Sequence, residues 1–412
     1  MKTSLFRILL VMLAIVLCMG LVACQTPDPN NGDGSDTSGD GTDVTTGEET
    51  TEESTTEEIT TEDSTTGEPE TDPPTIESIS CKLATAADSV RVIGRSCVVG
   101  TGVSCDFTAS GIEFNAYVEG DLKLKITTTA TSYSSVATAY FTVIVDGVRS
   151  ETRFTAGPGT TTLTLASFAE GGLHNVKVLK QTEAMNALCV LEELSFTGYF
   201  TETRDADVFI EFIGDSITSG YGNLCASSAA TPGTAINQDG TQAFAYIAAS
   251  TLGADYSIVS ASGVGVVNGF REFVAETLFA RESYYRNTAA YTPSRIPDIV
   301  VINLGTNDES KSVDTVTFRN KATALVNQIR TAYGNDVKIV VVHNMMKAGM
   351  ATQWTRVFNT MGGEAAGFYM YEGARNTSGG GGHPNLATQK TVGEGLASFL
   401  IEKGLVTPTT AS

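Results

Sequence analysis

The chain has 412 residues, 41% of them hydrophobic, which is enough for two or three domains with buried cores. Its formal net charge is −21, yet sixteen acidic residues and no Lys or Arg fall between positions 25 and 75, which leaves about −5 for everything else. The acidity therefore belongs mostly to one segment, and it argues against nucleic acid as a partner.

Residues 1–24 read as a targeting segment. Lys2 and Arg7 precede the short apolar run Ile8–Leu17, and Leu21-Val22-Ala23-Cys24 closes it, the order expected of a secretory signal. It resembles a bacterial lipoprotein signal, which implies acylation of Cys24 after cleavage and a body held at the outer face of the membrane by lipid alone. An ordinary cleaved signal or an uncleaved anchor is the alternative. Residues 25–75 are mostly Thr, Glu, Asp, Ser, Gly and Pro, with Val44 and Ile59 the only aliphatic residues, too few to offset chain entropy. A disordered, self-repelling tether is expected, reaching roughly 40 Å if it behaves as a flexible coil. Beyond Cys24, five cysteines remain (Cys81, Cys97, Cys105, Cys189 and Cys225). An odd number outside the cell implies at least one free thiol, and Cys97 and Cys105 are close enough in sequence to pair. No Cys-x-x-Cys spacing occurs, so no metal site is expected.

Residues 76–205 form short alternating segments, such as Asp121–Thr127, Ala139–Val145 and His174–Lys180, broken by turn residues such as Asp146-Gly147. Period-two alternation rich in Thr and Val predicts an antiparallel β-sandwich, with a jelly roll as the best fit. Such a body could bind sugar or only buttress its neighbour.

From residue 206 to 404 the rhythm changes. Continuous apolar runs at Val208–Ile213, Asp255–Ser260, Ile299–Asn303 and Val337–Val342 alternate with helical spacing at Val313–Tyr333 and Thr388–Lys403. This predicts an α/β domain with a parallel sheet flanked by helices and a site at the carboxyl ends of its strands. Residues 405–412 are left as a tail.

Ser216 follows the first of these runs in Gly214-Asp215-Ser216, a strand-to-helix corner where a hydroxyl is exposed beside free backbone N–H groups. Those are the needs of an acyl-transfer nucleophile. Its base must come from three histidines. His174 lies on an alternating strand of the first body, His343 ends a buried strand, and His383 follows four glycines and precedes Pro384, in a loop shaped to present one side chain. His383 is favoured and His343 stays open. Asn307, in Gly305-Thr306-Asn307-Asp308, and Gly263, in Ser262-Gly263-Val264-Gly265, fall at the same sheet edge and could donate to an oxyanion; a helix N-cap and a plain turn are the ordinary uses of such sequences. Trp354, Tyr221 and Tyr371 are candidates to stack on a sugar, although core packing is the commoner use of such rings.

The order Gly-Asp-Ser, glycine turn, Gly-x-Asn-Asp and carboxyl-terminal His resembles the SGNH (GDSL-type) hydrolase superfamily. Ile210 to Asn223, Gly305–Asp308 and His383-Pro384-Asn385, preceded by Val92-Ile93-Gly94-Arg95, are similar to carbohydrate esterase family 2. The resemblance implies Ser216 as nucleophile, His383 as base, an oxyanion hole of the Ser216 and Gly263 N–H groups with the Asn307 amide, and support from Asp215 and Asp308. It also implies removal of acetyl groups from polysaccharides such as xylan and mannan. No cofactor or metal is expected, and the oligomeric state is left open with a monomer as the expectation. A surface carbohydrate-binding protein with an idle hydrolase fold, or an esterase of lipids or acetylated bacterial glycan, are the alternatives. One position departs from the superfamily. Many relatives carry Asp three residues before the histidine, where this chain has Gly380. A Ser-His dyad is therefore expected, its imidazole oriented by a backbone carbonyl, with Asp308 or Glu372 folding back as the alternative.

Overall fold

The computed structural model describes residues 74–134, 137–283, 285–286 and 289–407; the expected signal with Cys24, the tether up to residue 73 and the last five residues lie outside the described residues. The described residues cluster as one compact unit.

Its first half holds β1 (Glu77–Lys82), β2 (Arg91–Ile93), β3 (Val98–Val99), β4 (Gly102–Ser104), β5 (Gly111–Thr129), β6 (Ala139–Val145), β7 (Val148–Arg149), β8 (Phe154–Ala156), β9 (Gly159–Lys180) and β10 (Leu188–Thr201). Where the alternation predicts two sheets, these strands form one continuous ten-stranded antiparallel sheet. The reason is the length of β5 and β9, 19 and 22 residues. β5, β9 and β10 break register together, between Val118 and Gly120, Phe168 and Gly172, and Ser195 and Thr197. Aligned bulges bend strands, so the sheet folds over on itself. Ile112, Phe114, Leu124, Ile126, Val176 and Leu191 share the core it encloses. All five described cysteines are free. Cys97 and Cys105, close enough in sequence to pair, instead turn to separate partners, Ser104 Oγ at 3.4 Å and the Ser110 carbonyl at 3.1 Å.

The second half runs β11 (Phe209–Gly214), α1 (Ser216–Ser219), α2 (Phe244–Thr251), β12 (Asp255–Ser260), α3 (Ala275–Ala280), β13 (Ile299–Asn303), α4 (Thr306–Ser310), α5 (Thr315–Tyr333), β14 (Lys338–His343), α6 (Ala351–Thr360), β15 (Phe368–Glu372) and α7 (Leu386–Glu402). Five parallel strands stand in the order β12-β11-β13-β14-β15. Both faces are covered, which is why the strands read as unbroken apolar runs. Ile210 and Phe212 face α2 and α7, while Ile213 faces α3, α5 and α6. The chain reverses direction across the sheet at β11, and the crevice beyond such a switch point is where ligands bind in open α/β sheets.

The halves are bolted together by buried charge. Arg95 forks onto both carboxylate oxygens of Glu211 at 3.0 Å, Tyr333 donates to the same carboxylate at 2.6 Å, and Tyr291 lies 3.8 Å over the guanidinium. Arg95 thus satisfies a carboxylate in the middle of β11, five residues before Ser216.

Candidate active site

Ser216 opens α1 directly after β11. Asp215 caps that turn, accepting the Ile217 N–H at 3.0 Å, and Gly220 closes it at φ 74°. A side chain at Gly214 would strike Thr218 Oγ1, so the corner requires glycine. Gln389 of α7 donates to the Ile217 carbonyl at 3.0 Å, tying the helix that follows His383 to the serine turn.

His383 reaches this corner from a loop 167 residues away, with Nε2 2.8 Å from Ser216 Oγ and Nδ1 3.0 Å from the Gly380 carbonyl. A carbonyl can only accept, so Nδ1 carries the hydrogen and Nε2 is left as the acceptor for the serine hydroxyl. The carbonyl of Gly380, three residues before His383, fixes the tautomer. Gly380 has no room for a side chain: a Cβ there would lie 2.4 Å from Cys225 Sγ. Gly381 and Gly382 turn at φ 62° and 76°, in the left-handed region that favours glycine. The loop is stitched to the segment after Ser216 by Gly380 N–H to the Gly222 carbonyl and Gly381 N–H to the Ser228 carbonyl. Burial holds the His383 imidazole below its ordinary value.

The other candidates fall elsewhere. His343 ends β14 beside Glu372 in the ladder, and its Nδ1 is buried with no hydrogen-bond partner. His174 bonds Asp146 on the β-rich half. Asp308 does not fold back on His383; it accepts the N–H groups of Val266, Val267 and Asn268 at 2.7–3.1 Å and so shapes the loop after Gly263. Glu372 accepts from Asn344 instead. Trp354 is fully buried, donating to the Leu304 carbonyl at 2.9 Å, and Tyr371 packs on Phe399. Tyr221 alone of the three aromatic candidates reaches the site, its ring centroid 4.9 Å from that of His383.

Ser216, Tyr221, Gly263, Phe270, Asn307 and His383 line one open pocket of about 300 Å³. Gly263 turns at φ 86°. The Asn307 amide donates to Asp215 Oδ2 at 3.0 Å and to the Val264 carbonyl at 2.8 Å, so it is held in place. Asp215 is fully buried, and desolvation, with Asp308 and Glu183 adding repulsion, pushes its carboxyl up to about 7. Two residues that sequence reasoning missed also meet this loop. Glu183, from the connection between β9 and β10, accepts the Ser262 N–H at 2.9 Å and hydroxyl at 2.7 Å, and Arg271 donates to the Ser262 carbonyl at 2.7 Å. Neither lies in a motif, so no local signal marks them.

Residues 212–371 match the GDSL-like lipase/acylhydrolase family, and residues 93–201 match the carbohydrate esterase 2 N-terminal family. The chain has the two-part architecture of the family 2 carbohydrate esterases. A solved family 2 esterase from Clostridium thermocellum, in complex with cellohexaose, superposes with a TM-score of 0.70 at 26% identity, over 77% of this chain and all of that one. An acetyl xylan esterase from the rumen bacterium Butyrivibrio proteoclasticus shares the fold, with a TM-score of 0.70 at 17% identity over 80% and 99% of the two chains. Among curated proteins, a cellulase/esterase from Acetivibrio thermocellus is 28% identical over 73% of this chain and 38% of its own length. The acetylxylan esterase / glucomannan deacetylase of Cellvibrio japonicus is 30% identical over 38% of this chain and 45% of its own. The matches thus span under half the length of both curated relatives.

Proposed function

We propose that the protein is an O-acetyl esterase that deacetylates plant polysaccharides of the xylan or mannan type through an acyl-serine. The observation that carries this is the 2.8 Å contact between Ser216 Oγ and a His383 Nε2 left as acceptor by the Gly380 carbonyl. The substrate class is supported by the relatives named for acetylxylan and glucomannan.

In the cycle, His383 takes the Ser216 proton as Oγ attacks the acetyl carbonyl carbon. Charge on the carbonyl oxygen is met by the N–H groups of Ser216 and Gly263 and by Asn307, which turns one of the two amide hydrogens it gives to Asp215 and Val264 toward the oxyanion. Collapse expels the sugar oxygen, which receives the proton from His383. Water then attacks the acyl-serine with His383 again as base, and acetate leaves. No step calls on a metal or cofactor. The β-rich half we read as a jelly-roll variant whose two layers stay joined through the bend in β5, β9 and β10. The cationic start, short apolar run and Cys24 support a lipid-anchored protein outside the cytoplasm.

The test is acetate release from acetylated xylan and acetylated mannan by purified protein. Release that Ser216→Ala abolishes is expected; no release from either, or release that survives the substitution, overturns the proposal. For the anchor, Cys24→Ser should move the protein from membrane to medium, and retention on the membrane would contradict it.

A further inference from the structure

Ser262, the residue before Gly263, is held by two side chains through three hydrogen bonds. In a trans peptide the carbonyl of one residue and the N–H of the next point in opposite directions. Arg271 Nε donates to the Ser262 carbonyl at 2.7 Å, so it fixes the Gly263 N–H pointing the opposite way within the peptide plane. Glu183 holds the other end of the same residue with both oxygens, one on the Ser262 N–H at 2.9 Å and one on its hydroxyl at 2.7 Å. Glu183 is fully buried, and a buried carboxylate is retained only where its oxygens are satisfied. Arg271 is braced in turn by the β-rich half: its guanidinium lies 4.3 Å over the Tyr133 ring and donates to Met185 Sδ at 3.2 Å. Glu183 and Met185 share the connection between β9 and β10, and Tyr133 follows β5, so Glu183 and both braces of Arg271 lie outside the half that carries Ser216, His383 and Arg271 itself.

We propose that Glu183 and Arg271 are positioning residues that aim the Gly263 N–H at the oxyanion, which makes the β-rich half a working part of the site. This rests on the esterase reading. A donor displaced by about 1 Å costs up to about 10² in rate, close to the lower bound for deleting one. The ester's ground-state carbonyl gains little from the same donor, so kcat should change and KM should not.

The experiment uses the full chain with a soluble acetyl ester and, as a probe of the tetrahedral state, phenylboronic acid. Its boron accepts a lone pair from Ser216 Oγ while the serine proton passes to His383, leaving a tetrahedral anion in the hole. Glu183→Ala and Arg271→Met are expected to lower kcat by about 10- to 100-fold, leave KM within about threefold, and weaken inhibition by the boronic acid in parallel with kcat. Glu183→Gln, which keeps an acceptor for the Ser262 N–H, should recover most of the loss. Arg271→Met carries the test if Glu183→Ala does not fold, because Arg271 is only partly buried. Unchanged kcat and inhibition, or a rise in KM alone, overturns the proposal while leaving the esterase reading intact. A wild type without Ser216-dependent turnover overturns both.

Discussion

Two regions of the folded unit, the loops of the site and the seam between its halves, satisfy buried charge differently. In the α/β half, Asp308 is satisfied by three backbone N–H groups and Asp215 by one together with Asn307, all from the same half. In the β-rich half, Arg95, Asp106 and Glu183 reach across, to Glu211, Arg286 and Ser262. Backbone-satisfied carboxylates shape the loops that carry chemistry, whereas crossing charges fix where those loops stand against their neighbour. The β-rich half therefore cannot be treated as an appendage, because removing it would strand Glu211 uncompensated in the core of the sheet.

The comparison breaks most sharply at Arg95. Arg95→Met should destabilise the fold by about 3–5 kcal/mol, since it leaves a buried carboxylate without its ion pair. Denaturant unfolding checks this, and a loss below about 1 kcal/mol would mean that the bolt is idle. Inside the α/β half, Asn307→Ala should lower turnover by about 10²–10³, at a cost to stability of about 1–3 kcal/mol for the Asp215 and Val264 oxygens left unpaired. An unchanged rate would remove Asn307 from the hole.

The smallest effect expected is in the pH profile. His383 must be neutral to act as base, and burial lowers its value, so turnover should fall as pH drops through a limb below the ordinary value of about 6.5. Asp215, pushed up to about 7, should add a shallow upper step, because Asn307 has an acceptor there in both protonation states. Asp215→Asn should erase the upper step and keep the lower limb. A limb well above 6.5 that survives Asp215→Asn would point to a carboxylate partner for His383.

Much of the α/β half was legible because its signals are local. Covered parallel strands read as apolar runs, and the serine corner and glycine loop each announce a backbone geometry. The strand β15, Phe-Tyr-Met-Tyr-Glu at the sheet edge, escaped because only Phe368 is buried. The bent sheet was unreadable as such: alternation reports which face of a strand is buried, and says nothing of whether a 22-residue strand turns a corner. Sequence favoured His383 over His343 without closing the choice, and the expected carbonyl partner came from family resemblance, with Asp308 or Glu372 as the alternative. Only the fold sends Asp308 to the 266–268 loop and Gly380 to Nδ1. Glu183 meets Ser262 across 79 residues with no pattern to link them.

The most direct test is acetyl-ester turnover in purified His383→Ala and His343→Ala side by side. A loss of about 10⁴-fold or more in the first and a near-wild-type rate in the second is expected of a dyad built from Ser216 and His383. Retained turnover in His383→Ala, with loss in His343→Ala, would contradict it.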